Sequence, residues 1–186
     1  MVSTSEFRNG MVLRLDGALF AMVEFEPFKP GKGAAVVRTR LKNVKTGAVI
    51  DRTFRSGDKV DDVRLERREM QYLYKSDDIY FFMDRETYDQ FELMAETVGN
   101  ALKYLKENEV VDVLVAEHSA IGVELPIFVE LTVTKADPGV RGDTVSGATK
   151  PAVLETGASI QVPLFVEPGD VLKVDTRTDA YVERVS

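Results

Sequence analysis

The chain has 186 residues, of which 44% are hydrophobic and 30% charged, so it can bury hydrophobic cores and is not expected to be disordered. It contains no cysteine and a single histidine, His118, which excludes disulfides, thiolate metal sites and histidine metal sites. Its net charge of -7 argues, taken alone, against a nucleic-acid partner, because such binding needs clustered cations.

The first four apolar runs alternate with polar residues, which predicts the strands of one small antiparallel barrel. These runs are Met11–Leu15, Leu19–Phe25, Ala35–Leu41 and Val49–Phe54. Asp16–Gly17 predicts a tight hairpin between the first two, and Lys45–Gly47 predicts a turn between the last two.

The middle of the chain continues with short strands and one helix. The predicted strands are Met70–Tyr74, Ile79–Met83, Tyr88–Leu93, Val110–Ala116 and Phe128–Thr134. A helix is predicted over Glu96–Glu107, because Val98, Leu102 and Leu105 recur at helical spacing. This strand, helix and strand pattern is typical of an OB-type barrel.

The last third begins with a long polar loop, Ala136–Pro151, and then returns to strands. The predicted strands are Ser159–Phe165, Val171–Asp175 and Tyr181–Val185. They fit a second barrel that closes the chain.

Charge is distributed unevenly along the chain. Residues 1–64 carry 12 basic and 8 acidic side chains, net +4, whereas residues 65–127 are net -8 and residues 128–186 net -3. The span Lys29–Lys59 holds nine basic residues against Asp51 and Asp58. Because salt screens charges beyond about 8 Å at physiological ionic strength, this basic segment could meet a polyanion despite the acidic remainder.

Lys32 lies at the centre of the segment Phe28–Ala35, between two predicted strands. Glycine on both sides permits a sharp turn and Pro30 stiffens it, so the lysine is predicted to project as a thin tip that suits a narrow cavity. An ordinary solvated hairpin lysine has the same pattern, and the residues alone leave both interpretations open.

Other motifs favour structural roles. Gly142–Thr149 approaches a phosphate-binding loop but has Ala148 at the lysine position, with Lys150 two residues late. The carboxylate pairs at 61–62 and 77–78 are typical of turns, and nothing places a catalytic triad around His118. Six aromatic residues could form a base-stacking platform or a barrel core, and their acidic surroundings favour the core: Tyr72, Tyr74, Tyr80, Phe82, Tyr88 and Phe91.

Many ordered blocks resemble the bacterial translation elongation factor P family. They are Lys29–Ala35 with Val37–Asn43, Gln71–Tyr74, Phe82–Asp84 with Glu86–Tyr88, Pro138–Thr144, Lys150–Gly157, Val162–Val166 and Val174–Arg177. The resemblance implies an all-β chain of three consecutive small barrels in an L-shaped, tRNA-like arrangement. Residues 1–64 would be an SH3-like (KOW-type) domain, and residues 65–127 and 128–186 would be OB domains.

The same resemblance implies a monomeric accessory factor rather than an enzyme, with no cofactor and no metal. It would bind the 70S ribosome between the peptidyl and exit tRNA sites and relieve stalling at consecutive prolines. Its partners would be ribosomal RNA, the peptidyl-tRNA and mRNA in the exit site. The N-terminal segment lacks the features of a signal peptide and no apolar run reaches about 18 residues, so a cytoplasmic protein without membrane contact is predicted.

Site residues are carried over from the resemblance. Lys32 would reach the CCA end of the peptidyl-tRNA, and it would be the target of a lysine-modifying enzyme if the chain is modified. The implied tRNA and ribosomal RNA contacts are Lys29, Pro30, Gly31, Lys32, Gly33, Arg38, Arg40, Lys42, Arg52 and Arg55. The implied small-subunit and mRNA contacts are Arg141, Gly142, Asp143, Thr144 and Lys150.

Three alternatives stay open at this point. A generic single-stranded RNA-binding protein would use the aromatic surface of residues 70–91, and a hydrolase would need a metal or a nucleotide. The hypusine-bearing initiation factor 5A relatives of eukaryotes and archaea are nearer, but they have two domains, and the third block here favours the bacterial family.

Overall fold

The structure is a computed structural model that describes residues 1–139 and 147–186. In these two ranges the chain is all-β, with sixteen strands in three sheets, two of which are barrel-like. The prediction of an all-β chain of small barrels is therefore confirmed. No helix in the described ranges is both long enough and apolar enough to cross a membrane.

The first sheet has the order β1-β6-β2-β3-β4-β5. Its strands are β1 Val2–Ser3, β2 Val12–Leu15, β3 Ala18–Phe28, β4 Val36–Asn43, β5 Val49–Arg55 and β6 Lys59–Val63. Asp16 and Gly17 have φ angles of 52° and 79°, which suits the tight hairpin predicted between β2 and β3. Leu13 and Leu41 are fully buried at the centre of its core.

The second sheet has the order β11-β10-β7-β8-β9, and the third has the order β14-β13-β12-β15-β16. The second contains β7 Leu65–Ser76, β8 Ile79–Asp84, β9 Gln90–Met94, β10 Val110–Ala116 and β11 Ser119–Glu124. The third contains β12 Phe128–Ala136, β13 Thr149–Leu154, β14 Ser159–Pro163, β15 Val171–Asp175 and β16 Ala180–Arg184.

The chain divides into two compact units. One consists of residues 1–68 with 113–122, and the other of residues 69–112 with 123–186. The predicted domain boundaries after residues 64 and 127, and the L-shaped arrangement, stay predictions.

The predicted helix over Glu96–Glu107 is wrong in extent. The structure has one α-helical turn, α1 Ala95–Val98, followed by a 3₁₀ helix over Gly99–Lys103. Gly99 ends α1 with φ 61° and ψ -135°, a conformation outside the helical region that glycine adopts readily. The apolar periodicity survives in burial, since Val98 and Leu105 both face the interior.

The predicted loop Ala136–Pro151 is too long at its C-terminal end, because β13 already begins at Thr149. A proline inside a strand argues against a strand assignment, since it cannot donate to the ladder. Here Pro151 pairs with Gln161 of β14, while β12 pairs with β13 only from Ala152 onward. The missing N–H is therefore not needed on the β12 side.

Within the second unit, Tyr104 follows the 3₁₀ helix and enters the core of the third sheet. Only 2% of its surface is exposed, and it packs with a cluster that includes Leu131, Leu172 and Val174. Its hydroxyl donates a hydrogen bond to Asp179 Oδ1 at 2.5 Å. A residue from the middle of the chain thereby completes the core of the C-terminal barrel.

Candidate nucleic-acid interface

The predicted lysine tip is a seven-residue loop, 29–35, closed by the pairing of Phe28 in β3 with Val36 in β4. Gly33 has φ 130°, a conformation that L side chains rarely adopt, and a Cβ built there would lie 3.5 Å from Pro30 Cγ. Lys32 is exposed and forms no ion pair with any residue that the structure describes. Its ammonium is therefore available to a partner rather than folded back onto an acidic neighbour.

The strand that follows the loop alternates strictly between the core and the surface. In β4, Val37, Thr39 and Leu41 are buried, whereas Arg38 and Arg40 are exposed on the other face. We call the face that carries Arg38 and Arg40 the outward face of β3, β4 and β5. By register it also carries Lys42, and Arg55, which pairs with Val36.

Arg40 is held by carboxylates on both neighbouring strands. Its guanidinium lies 3.5 Å from Glu24 of β3 and 3.2 Å from Asp51 of β5, which are its two cross-strand partners. A phosphate that approached Arg40 would meet both carboxylates beside it, which weakens the attraction. Although it belongs to the predicted RNA-binding set, its geometry favours a role within the sheet.

Arg52 does not share the outward face. It pairs with the buried Thr39, so its side chain emerges on the opposite side of β5. There its guanidinium lies 3.0 Å from Asp16 and 5.6 Å from the ring centroid of Phe54. The structure thus separates Arg52 from Arg38, whereas the sequence pattern had placed them in one basic segment.

Counting charge from Lys29 onward missed two acids of the same hairpin. Glu24 and Glu26 precede that residue but are brought opposite Arg40 and Arg38 by the β3–β4 register. Together with Asp51 they place three carboxylates on the outward face, which carries four cations. The net charge of that face is therefore only +1. Net positive charge is therefore concentrated towards the loop, which adds two lysines.

The second predicted contact region is only partly described. Arg141, Gly142, Asp143 and Thr144, together with most of the phosphate-loop-like segment, lie outside the described residues. Lys150 is 7% exposed, and its ammonium donates to the Asp137 carbonyl at 2.6 Å. This contact joins a residue that precedes the segment to one that follows it, so the ammonium of Lys150 is already engaged within the protein.

Two further features lie at the base of this segment. Gly139 packs closely against the backbone of Leu164, since a Cβ at Gly139 would lie 3.0 Å from the Leu164 carbonyl oxygen. The Glu167 amide, then Arg184 and the charge of Lys150, hold the pKa of Asp170 below its ordinary value. Close packing at Gly139 and the charges around Asp170 therefore lie beside the described residues that flank the segment.

The remaining candidates are His118 and the six aromatic residues predicted to pack a core or to stack on bases. His118 is exposed in the turn between β10 and β11, and the described ranges contain no cluster of acids and histidine that could hold a metal ion. The aromatic set is divided. Tyr72 and Phe82 are buried, whereas Tyr74 is 47% exposed and Tyr88 73% exposed. Core packing therefore accounts for some of these rings but not for all of them.

Models of one protein family match three successive parts of this chain. The family model for the elongation factor P KOW-like domain matches residues 3–60, the one for the OB domain matches residues 65–123, and the one for the C-terminal domain matches residues 129–184. The chain belongs to the elongation factor P family. The resemblance seen in its sequence blocks is therefore confirmed, as are the KOW-like and OB folds.

Two relatives named elongation factor P are similar to this chain over its full length. The protein of that name from Acetivibrio thermocellus is 54% identical over 185 residues, which covers 100% of both chains. That from Moorella thermoacetica is 56% identical over 184 residues, or 99% of this chain and 100% of the relative. Because the matches span full lengths, they include the tip loop and both predicted contact regions.

A solved structure shares part of the fold. Initiation factor 5A from Methanococcus jannaschii superimposes with a TM-score of 0.53 at 22% identity, covering 67% of this chain and 91% of that one. This likeness concerns the fold alone. Family membership makes the chain a translation elongation factor, a class of protein that works with the ribosome. The individual contact residues stay predictions.

Proposed function

We propose that this chain binds the ribosome between the peptidyl and exit tRNA sites and stimulates peptide-bond formation, thereby relieving stalling at consecutive prolines. It acts as a cytoplasmic accessory factor and not as an enzyme, because the bond-forming chemistry remains that of the ribosome. Lys32 is the residue that acts near the CCA end of the peptidyl-tRNA. Ribosomal RNA and mRNA in the exit site are further partners.

The observation that supports this proposal most directly is the geometry of the tip loop. Lys32 is exposed at the end of the β3–β4 hairpin, next to a glycine at φ 130° and without an ion pair among the described residues. A narrow, cationic tip of this kind can enter a cavity lined by phosphates, where its ammonium meets acceptor oxygens. A broad or self-paired surface could not.

The mechanism that fits this geometry is positioning. Proline is a rigid participant in peptide-bond formation, and a tRNA end that samples many orientations reacts slowly. An ammonium that holds the CCA end in one orientation lowers the entropic part of the barrier without moving a proton. The net positive charge near the loop guides approach to RNA, while the acidic remainder of the chain disfavours unrelated RNA.

The direct test is in vitro translation of a reporter that contains a run of prolines, with and without this protein. We expect Lys32→Ala to lower the rate of proline-run synthesis by about tenfold or more. Lys45→Ala is the matched control, because Lys45 is an exposed lysine at the turn between β4 and β5 of the same sheet. It removes the same charge at the other end of β4 and should leave rescue unchanged.

Full rescue by Lys32→Ala would refute the role of the tip, and equal losses in both variants would indicate a general charge effect. Thermal melting of both variants should match that of the parent chain, since neither lysine is buried. Intact-mass measurement of the purified chain would show whether Lys32 carries a modification. Tight binding of free oligonucleotides without ribosomes would instead favour the generic single-stranded RNA-binding function.

A further inference from the structure

Arg38 and Arg40 are neighbours on the outward face, yet they have different partners. Arg40 lies between two carboxylates, at 3.5 and 3.2 Å. Arg38 has Glu26 and Thr53 as its cross-strand neighbours, but within the described ranges it forms no ion pair. Instead its guanidinium carbon lies over the ring of Phe28, 4.3 Å from the ring centroid.

The strand register explains how this contact arises. Phe28 pairs with Val36, so it is the diagonal neighbour of Arg38 and lies one step closer to the loop. The ring is 40% exposed, which leaves its face open to the arginine side chain. Arg38 thus extends along the hairpin towards the loop and away from the Glu26 carboxylate that stands directly opposite.

Stacking on a ring leaves the donor edge of a guanidinium free. When a guanidinium stacks on a ring through its planar face, its N–H bonds point outward in the plane. A phosphodiester with two acceptor oxygens matches that planar fork and can accept two parallel hydrogen bonds. Arg40 differs because its Nη1 and Nε lie beside Glu24 and Asp51, whose negative charges would repel a phosphate.

We propose that Phe28 is a positioning residue that holds Arg38 as a phosphate-binding fork at the root of the tip loop. The ligand is the sugar-phosphate backbone of the RNA that the hairpin meets, and this inference rests on the proposed function. Phe28 keeps Arg38 out of an ion pair with Glu26. Arg40 stabilises the sheet and makes no contact with RNA.

The test is a binding titration of the full chain on ribosomes carrying peptidyl-tRNA stalled at prolines, at several salt concentrations. We expect Arg38→Gln to weaken binding about tenfold and to lower the salt slope by about one. Phe28→Leu should weaken binding about threefold to fivefold. Adding Phe28→Leu to Arg38→Gln should cost nothing more, because the ring acts only through the arginine.

Further variants separate positioning from packing. Lys45→Gln is the charge-matched control, because Lys45 is exposed at the turn at the other end of β4, and it should leave both the affinity and the salt slope unchanged; Arg40→Gln should weaken binding less than Arg38→Gln. Glu26→Gln should raise the affinity more in the Phe28→Leu variant than in the parent chain. The reason is that it removes the carboxylate that would pair with Arg38 once the ring is gone. A purely structural role of Phe28 would show no such coupling to Glu26.

A spectroscopic measurement on the free protein tests the contact itself. The ring current of Phe28 should shift the side-chain protons of Arg38 upfield in NMR spectra, and Phe28→Leu should abolish the shift while leaving the melting temperature nearly unchanged. If the parent chain binds and rescues ribosomes but Arg38→Gln or Phe28→Leu binds equally well, this inference fails alone. If the parent chain does not bind these ribosomes, the proposed function and this inference both fail.

Discussion

Loss of the Tyr104 hydroxyl should destabilise the C-terminal barrel by an amount that depends on pH. Tyr104→Phe removes the hydrogen bond to Asp179 Oδ1 and leaves the packing of the ring intact. A hydrogen bond to a charged group contributes about 1.5–3 kcal/mol. Asp179 is 47% exposed and retains Lys103 at 3.2 Å, so we expect a lower loss of about 1 kcal/mol.

The pH window follows from the two partners. The Tyr104 hydroxyl, then Lys103, lowers the pKa of Asp179 below its ordinary 3.8, so its contribution is present above pH 3.8 and is lost as the pH falls through the folded-state pKa. Burial, then Asp179, raises the pKa of Tyr104 above its ordinary 10.0, so that contribution is lost as the pH rises beyond 10. The difference between parent and variant should therefore be largest between about pH 4 and 10.

The assay is urea unfolding monitored by hydrogen–deuterium exchange in peptides from β12 and β15. These peptides report on the C-terminal barrel and not on the first sheet. A loss of about 1 kcal/mol lowers the urea midpoint by about 0.5 M when the slope is about 2 kcal/mol/M. Tyr181→Phe is the control, because Tyr181 packs against the same core and its hydroxyl has no hydrogen-bond partner among the described residues. An unchanged midpoint at neutral pH, or a difference independent of pH, would refute the reasoning.

Two glycine substitutions provide further tests. Gly33→Ala should impair proline-run rescue and cost on the order of 1–3 kcal/mol locally, because φ 130° is strained for alanine. Gly31→Ala is the control, because a Cβ at Gly31 meets nothing within 4 Å; equal rescue by both variants would contradict this account. Gly139→Ala should lower the unfolding free energy of the C-terminal barrel by about 1–3 kcal/mol, because its Cβ would lie 3.0 Å from the Leu164 carbonyl oxygen; unchanged thermal melting would show that Leu164 can shift.

The hairpin carrying the candidate site could be predicted well from the chain itself. The alternation of apolar residues places β2 to β5 within a few residues of their observed bounds, and Asp16–Gly17 forms the expected tight turn. Short-range rules suffice for these features, since turn conformation and strand alternation depend on residues that are adjacent in sequence. The helix was overestimated because apolar spacing persists in burial even after Gly99 ends the α-helical turn.

The local conformation of the tip and the family likeness were therefore determined by sequence. Tertiary structure decided which cations remain available: Arg40 pairs with Glu24 and Asp51, Arg52 pairs with Asp16, and Lys150 is buried and donates to the Asp137 carbonyl. These outcomes depend on strand register and on contacts between distant residues. A charge count along the chain cannot contain them, because the free energy of an ion depends on which neighbours surround it in three dimensions.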